Sequence, residues 1–416
     1  MTQQSMTTKK ILITGGAGYI GSHANALLNA LGFETLVLDN LSLGHKESLQ
    51  YTSLDVSSGA TLTQFLAQLG QNLPRAGGGG HKYPLNNPFK ESKSNDKHFA
   101  DTNLSPHIAQ YQTQANSDLL LLRSLQNAHL RTTFIQADLS DKATLDSVFD
   151  TYDIEAVMHF AAYAYVGESV NDPSKYYRNN VANSLNLLES MRRANVKNII
   201  FSSTCATYGN PLHLPITESH IQNPINPYGY SKLVVENMLR DFHNAYGLNY
   251  VVLRYFNAAG ASMLFDIGES HNPETHLIPL LLQTALGQRE SLSIFGDDYP
   301  TKDGSCVRDY IHIDDLASAH ILALKYFLDA KRDGKIGEVF NLGNGEGFSI
   351  FELLECTQDL CGKKIPYVIE SRRIGDPAIL IGDSSRARDI LGWNPYFYKL
   401  ETILASALRW HTNPRY

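Results

Sequence analysis

Short apolar runs recur along the chain and alternate with stretches of helical periodicity. The first run is Lys10-Ile-Leu-Ile-Thr14, rich in β-formers and stopped by glycine. A helical pattern follows through Leu31 and stops at Gly32. Glu34-Thr-Leu-Val-Leu-Asp39 is the second run and ends in an acid. Later runs are Thr133-Phe-Ile-Gln-Ala-Asp-Leu139, Ala156-Val-Met-His-Phe-Ala-Ala162, Val196 to Ser203, and Asn249-Tyr-Val-Val-Leu-Arg-Tyr255. Strands that alternate with helices predict an α/β fold, a Rossmann-type doubly wound parallel sheet. The expected first domain is residues 9–260. From about Ala261 the order is less regular, and glycines and prolines interrupt it. A smaller mixed α/β lobe is expected over 261–416, with some elements returning to the first domain. Its expected helices are Leu277–Leu286, Leu316–Asp329 and Ser349–Leu360, with Asp314, Asp315 and Ser349 placed to cap them.

The turn after the first run is Gly15-Gly-Ala-Gly-Tyr-Ile-Gly-Ser-His23. The order is strand, glycine turn, helix, strand, acid. Gly15 allows the tight turn, Gly18 lets backbone approach a pyrophosphate, and Gly21 lets the helix pack on the sheet. The helix start then offers free amides to phosphates. Asp39 would accept hydrogen bonds from an adenosine ribose, which favours NAD over NADP. Asp138 is a plausible adenine contact, and the small residues ending at Ala162 let a cofactor lie close.

Composition narrows the class further. The chain has 416 residues, 43% hydrophobic and 19% charged, so a sizeable core is expected. A formal net charge of -7 gives no indication of a nucleic-acid surface. The first ten residues are polar, and no long uncharged apolar run occurs, so cytoplasm is the expected location. The cysteines Cys205, Cys306, Cys356 and Cys361 form no CxxC pair, and Cys356 and Cys361 read as small apolar residues on a helix and its end. No metal site is expected.

Tyr228-Gly-Tyr-Ser-Lys232 opens a helix reaching to about Tyr246. Positions four apart share a helix face, so Tyr228 and Lys232 can serve one site. A nearby ammonium is expected to lower the tyrosine pKa and make it a usable base. Ser202-Ser-Thr204 ends a strand, and Thr204 can hydrogen-bond the reacting oxygen. Tyr230 has Val234 rather than a lysine four residues on, so it is not the base.

Several stretches together resemble one family. They are Thr14-Gly-Gly-Ala-Gly-Tyr-Ile-Gly-Ser-His23, Asp39-Asn-Leu-Ser42, Val166-Gly-Glu-Ser-Val170, Tyr176-Tyr-Arg-Asn-Asn180 and Phe201-Ser-Ser-Thr-Cys-Ala-Thr-Tyr-Gly209. Further matches are Asn226-Pro-Tyr-Gly-Tyr-Ser-Lys232, Leu253-Arg-Tyr-Phe-Asn-Ala-Ala-Gly260, the long run Ile294 to His312, and Arg372-Arg-Ile-Gly-Asp-Pro-Ala378. They are similar to the UDP-glucose 4-epimerases (UDP-galactose 4-epimerases) of the extended short-chain dehydrogenase/reductase superfamily.

The resemblance implies a tightly held NAD, a homodimer formed through helices, and a role in galactose metabolism. It implies that Tyr228 takes the proton from the sugar 4-hydroxyl while the C4 hydride moves to the nicotinamide. The 4-keto sugar turns over, and hydride returns to its opposite face. Lys232 would hold the nicotinamide ribose. Tyr19, Ile20, Asp39, Asn40, Ser42, Asp138, Leu139, Phe160, Ala161, Ala162 and Asn179 match cofactor contacts, with Tyr255 and Phe256 near the nicotinamide. Asn257, Leu277, Phe295, Arg308, Arg373 and Asp376 match the UDP-sugar side, beside Thr204 and Tyr228. Planar multi-donor groups at Arg308 and Arg373 suit a diphosphate.

The sequence departs from the family at four positions. Ala164 stands where some members carry lysine, Thr204 replaces the more usual serine, and His276 replaces an asparagine. Leu380 falls where sugar size is limited, which leaves UDP-N-acetylhexosamines open as substrates; UDP-pentoses are a separate alternative. A sugar-nucleotide dehydratase needs an acid/base pair after the Ser/Thr, whereas Cys205 and Ala206 follow here. A net dehydrogenase would release reduced cofactor, and a non-catalytic NAD sensor would not need Tyr228, Lys232 and Thr204.

Residues 51–131 lie outside the resemblance. The stretch holds Arg75-Ala-Gly-Gly-Gly-Gly-His81 and a polar run from Asn86 to Asn116, which read as a mobile loop. Helical pieces are expected at Ala60–Leu69, His107–Gln114 and Ser117–Leu130. His81, His98, His107 and His129 have no paired ligand spacing and read as surface residues. The stretch is expected to form a flap or contact surface near the adenosine end of the cofactor, and not a catalytic element.

Overall fold

A computed structural model describes residues 9–54, 65, 127–329, 334–373 and 376–416. Its strands are β1 (Lys10–Thr14), β2 (Thr35–Asp39), β3 (Thr132–Gln136), β4 (Ile154–His159), β5 (Asn198–Thr204), β6 (Asn249–Tyr255) and β7 (Asn257–Ala259). They continue with β8 (Leu292–Phe295), β9 (Val307–Arg308), β10 (Tyr310–His312), β11 (Gly337–Leu342), β12 (Phe348–Ser349), β13 (Tyr367–Glu370) and β14 (Ile379–Leu380). Seven form the main sheet in the order β11-β6-β5-β4-β1-β2-β3, with every pairing parallel. The doubly wound sheet is thus present.

The unbroken apolar runs are explained by burial on both sheet faces. Ile11, Ile13 and Val37 pack with Leu27 and Leu28 of the helix Tyr19–Ala30 and with Leu316, Ile321 and Leu324 of the helix Ile313–Leu328. Leu12, Leu36 and Leu38 face the other way, onto Leu145, Leu188 and Val235 from three further helices. Strand order reverses beside β1, which has β2 on one side and β4 on the other. That switch point opens a crevice at the strand C-termini.

The later part of the chain builds its own core. Helices Leu277–Ala285, Ile350–Cys361 and Leu400–Thr412 bury Leu281, Leu353 and Leu404 together. The chain also returns to the first unit, because β11 extends the main sheet beside β6. Cys356 and Cys361 are free and pack against this second core.

Several boundaries differ from expectation. The runs ending at Leu139 and Ala162 stop being strand at Gln136 and His159, which leaves Asp138, Leu139 and Phe160 to Ala162 on loops at the crevice. Asp314 and Asp315 are not caps. His312 caps that helix, its Nδ1 accepting from Asp314 N at 3.1 Å. The two carboxylates instead accept amides from other segments, Asp315 from Tyr396 and Phe397 at 2.7 Å each. Ser349 does cap its helix, in a reciprocal pair with Glu352. The end of the expected helix Ser117–Leu130 is a 3-10 turn, Ala128–Arg131. Of the helices expected at Ala60–Leu69 and His107–Gln114, only Phe65 lies within the described residues. His81, His98 and His107 lie outside them too. Phe65 is buried, with its ring 5.3 Å from that of Phe397.

Candidate active site

The strand C-termini and the second core enclose one cleft of about 1410 Å³. That volume exceeds the usual range for a single small ligand and suits two. Every candidate site residue named from the sequence lines it, from Gly15 at one end to Asp376 at the other.

At the glycine turn, packing accounts for two of the three glycines. A Cβ on Gly15, whose φ is +72°, would meet Ala161 N at 2.5 Å, and one on Gly21 would meet Gly15 O at 2.2 Å. At Gly18 the nearest protein atom would be 3.4 Å away, so the space beside it belongs to the cleft. The following helix has no capping side chain at Gly18, which leaves first-turn amides for an anion. Asp39 closes the turn, accepting from Ala17 N at 2.9 Å and Leu41 N at 2.8 Å. Burial raises its pKa, and those amides oppose the rise. Asn40 donates to Asp138, and both line the cleft. Uncapped amides, an open Gly18 and a cleft-lining carboxylate fit NAD.

The chemical centre is assembled by close backbone approach. The helix Pro227–Tyr246 starts at the Asn226 cap, and Gly229 sits against the turn after β5. A Cβ on Gly229 would meet Ala206 O at 2.4 Å, so only glycine lets the helix start lie this close. This brings Tyr228 beside Thr204, whose hydroxyl lowers the phenol pKa against a larger rise from burial. Lys232, one turn on, donates to Ser202 O at 2.8 Å. Burial pushes the Lys232 ammonium down to about 7, opposed by the charge of Glu236. The expected lowering of Tyr228 by Lys232 is therefore not what the protein's own groups produce. Burial dominates and leaves the phenol above its usual range. Tyr255 donates or accepts at 2.8 Å with Ser202 Oγ, while Tyr230 stands half-exposed, outside the cleft lining.

Elsewhere along the cleft, Arg308 is ion-paired with Asp376, and Arg373 lies 3.9 Å over the Phe295 ring. Asn257 donates to Asp309 O at 3.0 Å. Leu277 begins its helix at the cleft wall. The sequence reading missed other cleft residues. Glu168 and Lys175 pair at 2.6 Å, and Glu269 and His271 line the wall before Leu277, beside His276, which the sequence marks only as replacing an asparagine. The spacing Glu269-x-His271-x-x-Glu274-x-His276 was the available signal for that group.

A seven-stranded parallel sheet with a glycine turn and a Thr/Tyr/Lys trio at its C-terminal edge defines an extended short-chain dehydrogenase/reductase. The chain matches the model of the NAD dependent epimerase/dehydratase family over residues 11–83 and 104–343, and it belongs to that family. The UDP-glucose 4-epimerase of Halalkalibacterium halodurans is 43% identical, over 96% of this chain and 95% of the relative. The solved UDP-glucose 4-epimerase of Brucella ovis in complex with NAD is 38% identical, with a TM-score of 0.73 over 96% of this chain and 98% of that one. The Bifidobacterium longum enzyme, solved with NAD+ and UDP, is 31% identical, with a TM-score of 0.74 over 98% of this chain and 99% of that one.

Proposed function

We infer that this chain is an NAD-dependent UDP-glucose 4-epimerase, an isomerase that interconverts UDP-glucose and UDP-galactose. The observation that carries the reading is the convergence of Thr204, Tyr228 and Lys232 on a cleft that also holds the glycine turn. NAD, when bound, supplies a reversible hydride store and a positive ring charge that favours the phenolate. Gly18, Asp39 and the first-turn amides would hold its adenosine diphosphate half. Tyr228 Oη takes the proton of the sugar 4-hydroxyl and later returns it. The Thr204 hydroxyl steadies the oxygen and the shared proton. Lys232, fixed by its bond to Ser202 O, would orient the ribose beside Tyr228. Arg308, Arg373, Phe295, Asn257, Leu277 and Asp376 bind the UDP-sugar.

The dehydratase alternative lacks its acid. Cys205 follows Thr204, and burial pushes its thiol up to about 12, far from a neutral-pH acid/base group. The deciding experiment is incubation with UDP-galactose without added cofactor. Appearance of UDP-glucose with no net absorbance change at 340 nm supports the reading, and a 4-keto-6-deoxy product refutes it. UDP-N-acetylgalactosamine and UDP-xylose in parallel reactions define the sugar range.

Residues 9–260 form the cofactor unit and 261–416 chiefly the sugar-nucleotide unit. The chain works as a homodimer. Exposed Tyr177, Leu185 and Tyr230 on neighbouring helical segments support this, with the two tyrosine rings 6.3 Å apart. Sedimentation of wild type and Tyr230→Asp should give dimer and monomer respectively. Its substrates place the enzyme in galactose metabolism.

A further inference from the structure

The loop after β2 forms the cleft wall beside the glycine turn, where Asn40, Ser42, Leu43 and Gly44 line the cleft. Leu41 within it has φ +59°, a left-handed conformation uncommon for any residue but glycine. A residue held that way persists only where its surroundings impose it. On its inner side the loop is tied to the glycine turn through Ala17. Ala17 N donates to Asp39 at 2.9 Å, and Ala17 O accepts from His45 N at 3.0 Å. A Cβ on Gly44 would meet the Ala17 carbonyl carbon at 2.9 Å, so loop and turn are in direct backbone contact. The conformation of this loop therefore sets one wall of the NAD site.

On its outer side the loop is gripped by two residues from the far end of the sequence. After the helix Leu400–Thr412 the chain brings Arg415 and Tyr416 against residues 45–50. The Tyr416 ring stacks on His45, with centroids 5.1 Å apart and planes 29° apart, and lies 4.9 Å from the Trp410 ring. Its hydroxyl donates to Gly268 O at 3.2 Å and accepts from Gly268 N at 3.3 Å. His45 Nε2 in turn donates to Ser270 O at 3.2 Å. Arg415 donates to Glu47 O at 2.6 Å and to Gln50 O, and lies 3.4 Å from Asp266 Oδ2. Asp266 also accepts from Thr52 N, and Leu54 N donates to Leu264 O at 2.9 Å.

Segments 45–54 and 264–270 are thus laced together, and one guanidinium and one phenol span the seam between them. The residue types suit the task. A planar guanidinium reaches two backbone carbonyls and a carboxylate at once. A tyrosine offers a large rigid face and a polar tip, which here meet His45 and Gly268. Glu269, inside the second segment, also lines the cleft, whereas Arg415 and Tyr416 are not part of the lining. The pair therefore joins two parts of the cleft wall from outside.

We propose that Arg415 and Tyr416 are positioning residues for NAD: they clasp the loop 40–45 against the glycine turn and so slow the release of bound cofactor. The proposal rests on NAD and not on the identity of the sugar nucleotide.

The test is exchange of bound NAD for isotopically labelled NAD in the loaded enzyme, with the rate of unfolding in urea measured alongside. Arg415→Gln should exchange NAD about tenfold faster than wild type, the scale of a lost hydrogen bond to a charged group. Tyr416→Ala should be faster by a similar factor. Tyr416→Phe keeps the ring on His45 and should recover most of the wild-type rate. The Arg415 side chain is 30% exposed, so Arg415→Gln carries the test where Tyr416→Ala fails to fold. Equal exchange rates in wild type and Arg415→Gln overturn the proposal. Faster exchange matched by an equal rise in unfolding rate also overturns it, because NAD would then be lost through opening of the whole fold.

Discussion

Glu236 lies one helical turn beyond Lys232 and holds Arg254 with both carboxylate oxygens, at 3.0 Å from Nε and 2.6 Å from an amino nitrogen. Ser203 Oγ donates to the same carboxylate at 2.5 Å, and Gln222 donates at 2.9 Å. Arg254 continues to the Tyr208 hydroxyl at 2.9 Å. This buried network ties the helix carrying Tyr228 and Lys232 to β5 and β6, whose ends carry Thr204 and Tyr255. A buried charge left without its partner typically costs about 3–5 kcal/mol. Glu236→Gln should lower the unfolding free energy by about that amount, read by urea denaturation. Glu236→Gln combined with Arg254→Met should recover much of the loss, because no unpaired charge remains. Equal stability of both variants would show that the pair does not act as a unit.

In the proposed reaction Tyr228 is the proton-transfer group. Tyr228→Phe keeps the ring that packs 6.4 Å from Tyr176 and removes only the hydroxyl. Interconversion should fall by about 10²–10⁴ in kcat, while NAD remains bound to the purified protein. Measurement of turnover and of cofactor content after denaturation checks both halves. Unchanged turnover would refute the mechanism.

Gly229 sets where Tyr228 sits. An alanine there must push the helix start away from Ala206 O, which a Cβ would meet at 2.4 Å. A displacement of about 1 Å at a reacting group can lower a rate by about 10². Gly229→Ala should therefore lose kcat by about that factor with NAD content retained. Wild-type kcat in this variant would show that the close approach is dispensable.

The parts readable from the sequence were those carried by local spacing. Tyr228 and Lys232 are four apart on a helix, and the glycine turn lies between two apolar runs, so neither needs knowledge of distant segments. The parts that were not readable depend on contacts between distant segments. The pairing of Arg308 with Asp376, far apart in sequence, turns two expected ligand-binding groups into one prearranged unit. Asp314 and Asp315 match a capping pattern, but the ring of His312 reaches the amide first and frees the acids for Met263, Tyr396 and Phe397. The rise at Tyr228 is a burial effect, and burial depth cannot be read from a Tyr-x-x-x-Lys spacing. The loop Glu269 to His276 is local in sequence, yet its charges matter only because both acids are buried.

The same loop gives a pH signature in stability that is independent of substrate. His271 has an ordinary pKa of 6.5 and is pushed up to about 10 in the folded protein, where the carboxylates of Glu269 and Glu274 overcome the opposing effect of burial. Between those values the folded state holds a proton that the unfolded chain releases. Stability from this group is therefore complete below about pH 6.5 and is lost as pH rises toward about 10. His271→Asn removes the titrating group while keeping a polar side chain of similar size. The difference in unfolding free energy between wild type and His271→Asn should be largest near pH 6 and should shrink steadily as pH approaches 9.5. Urea denaturation at matched ionic strength measures it. A difference that stays constant across that range would mean that the His271 contacts act through packing alone and not through the proton held between the two glutamates.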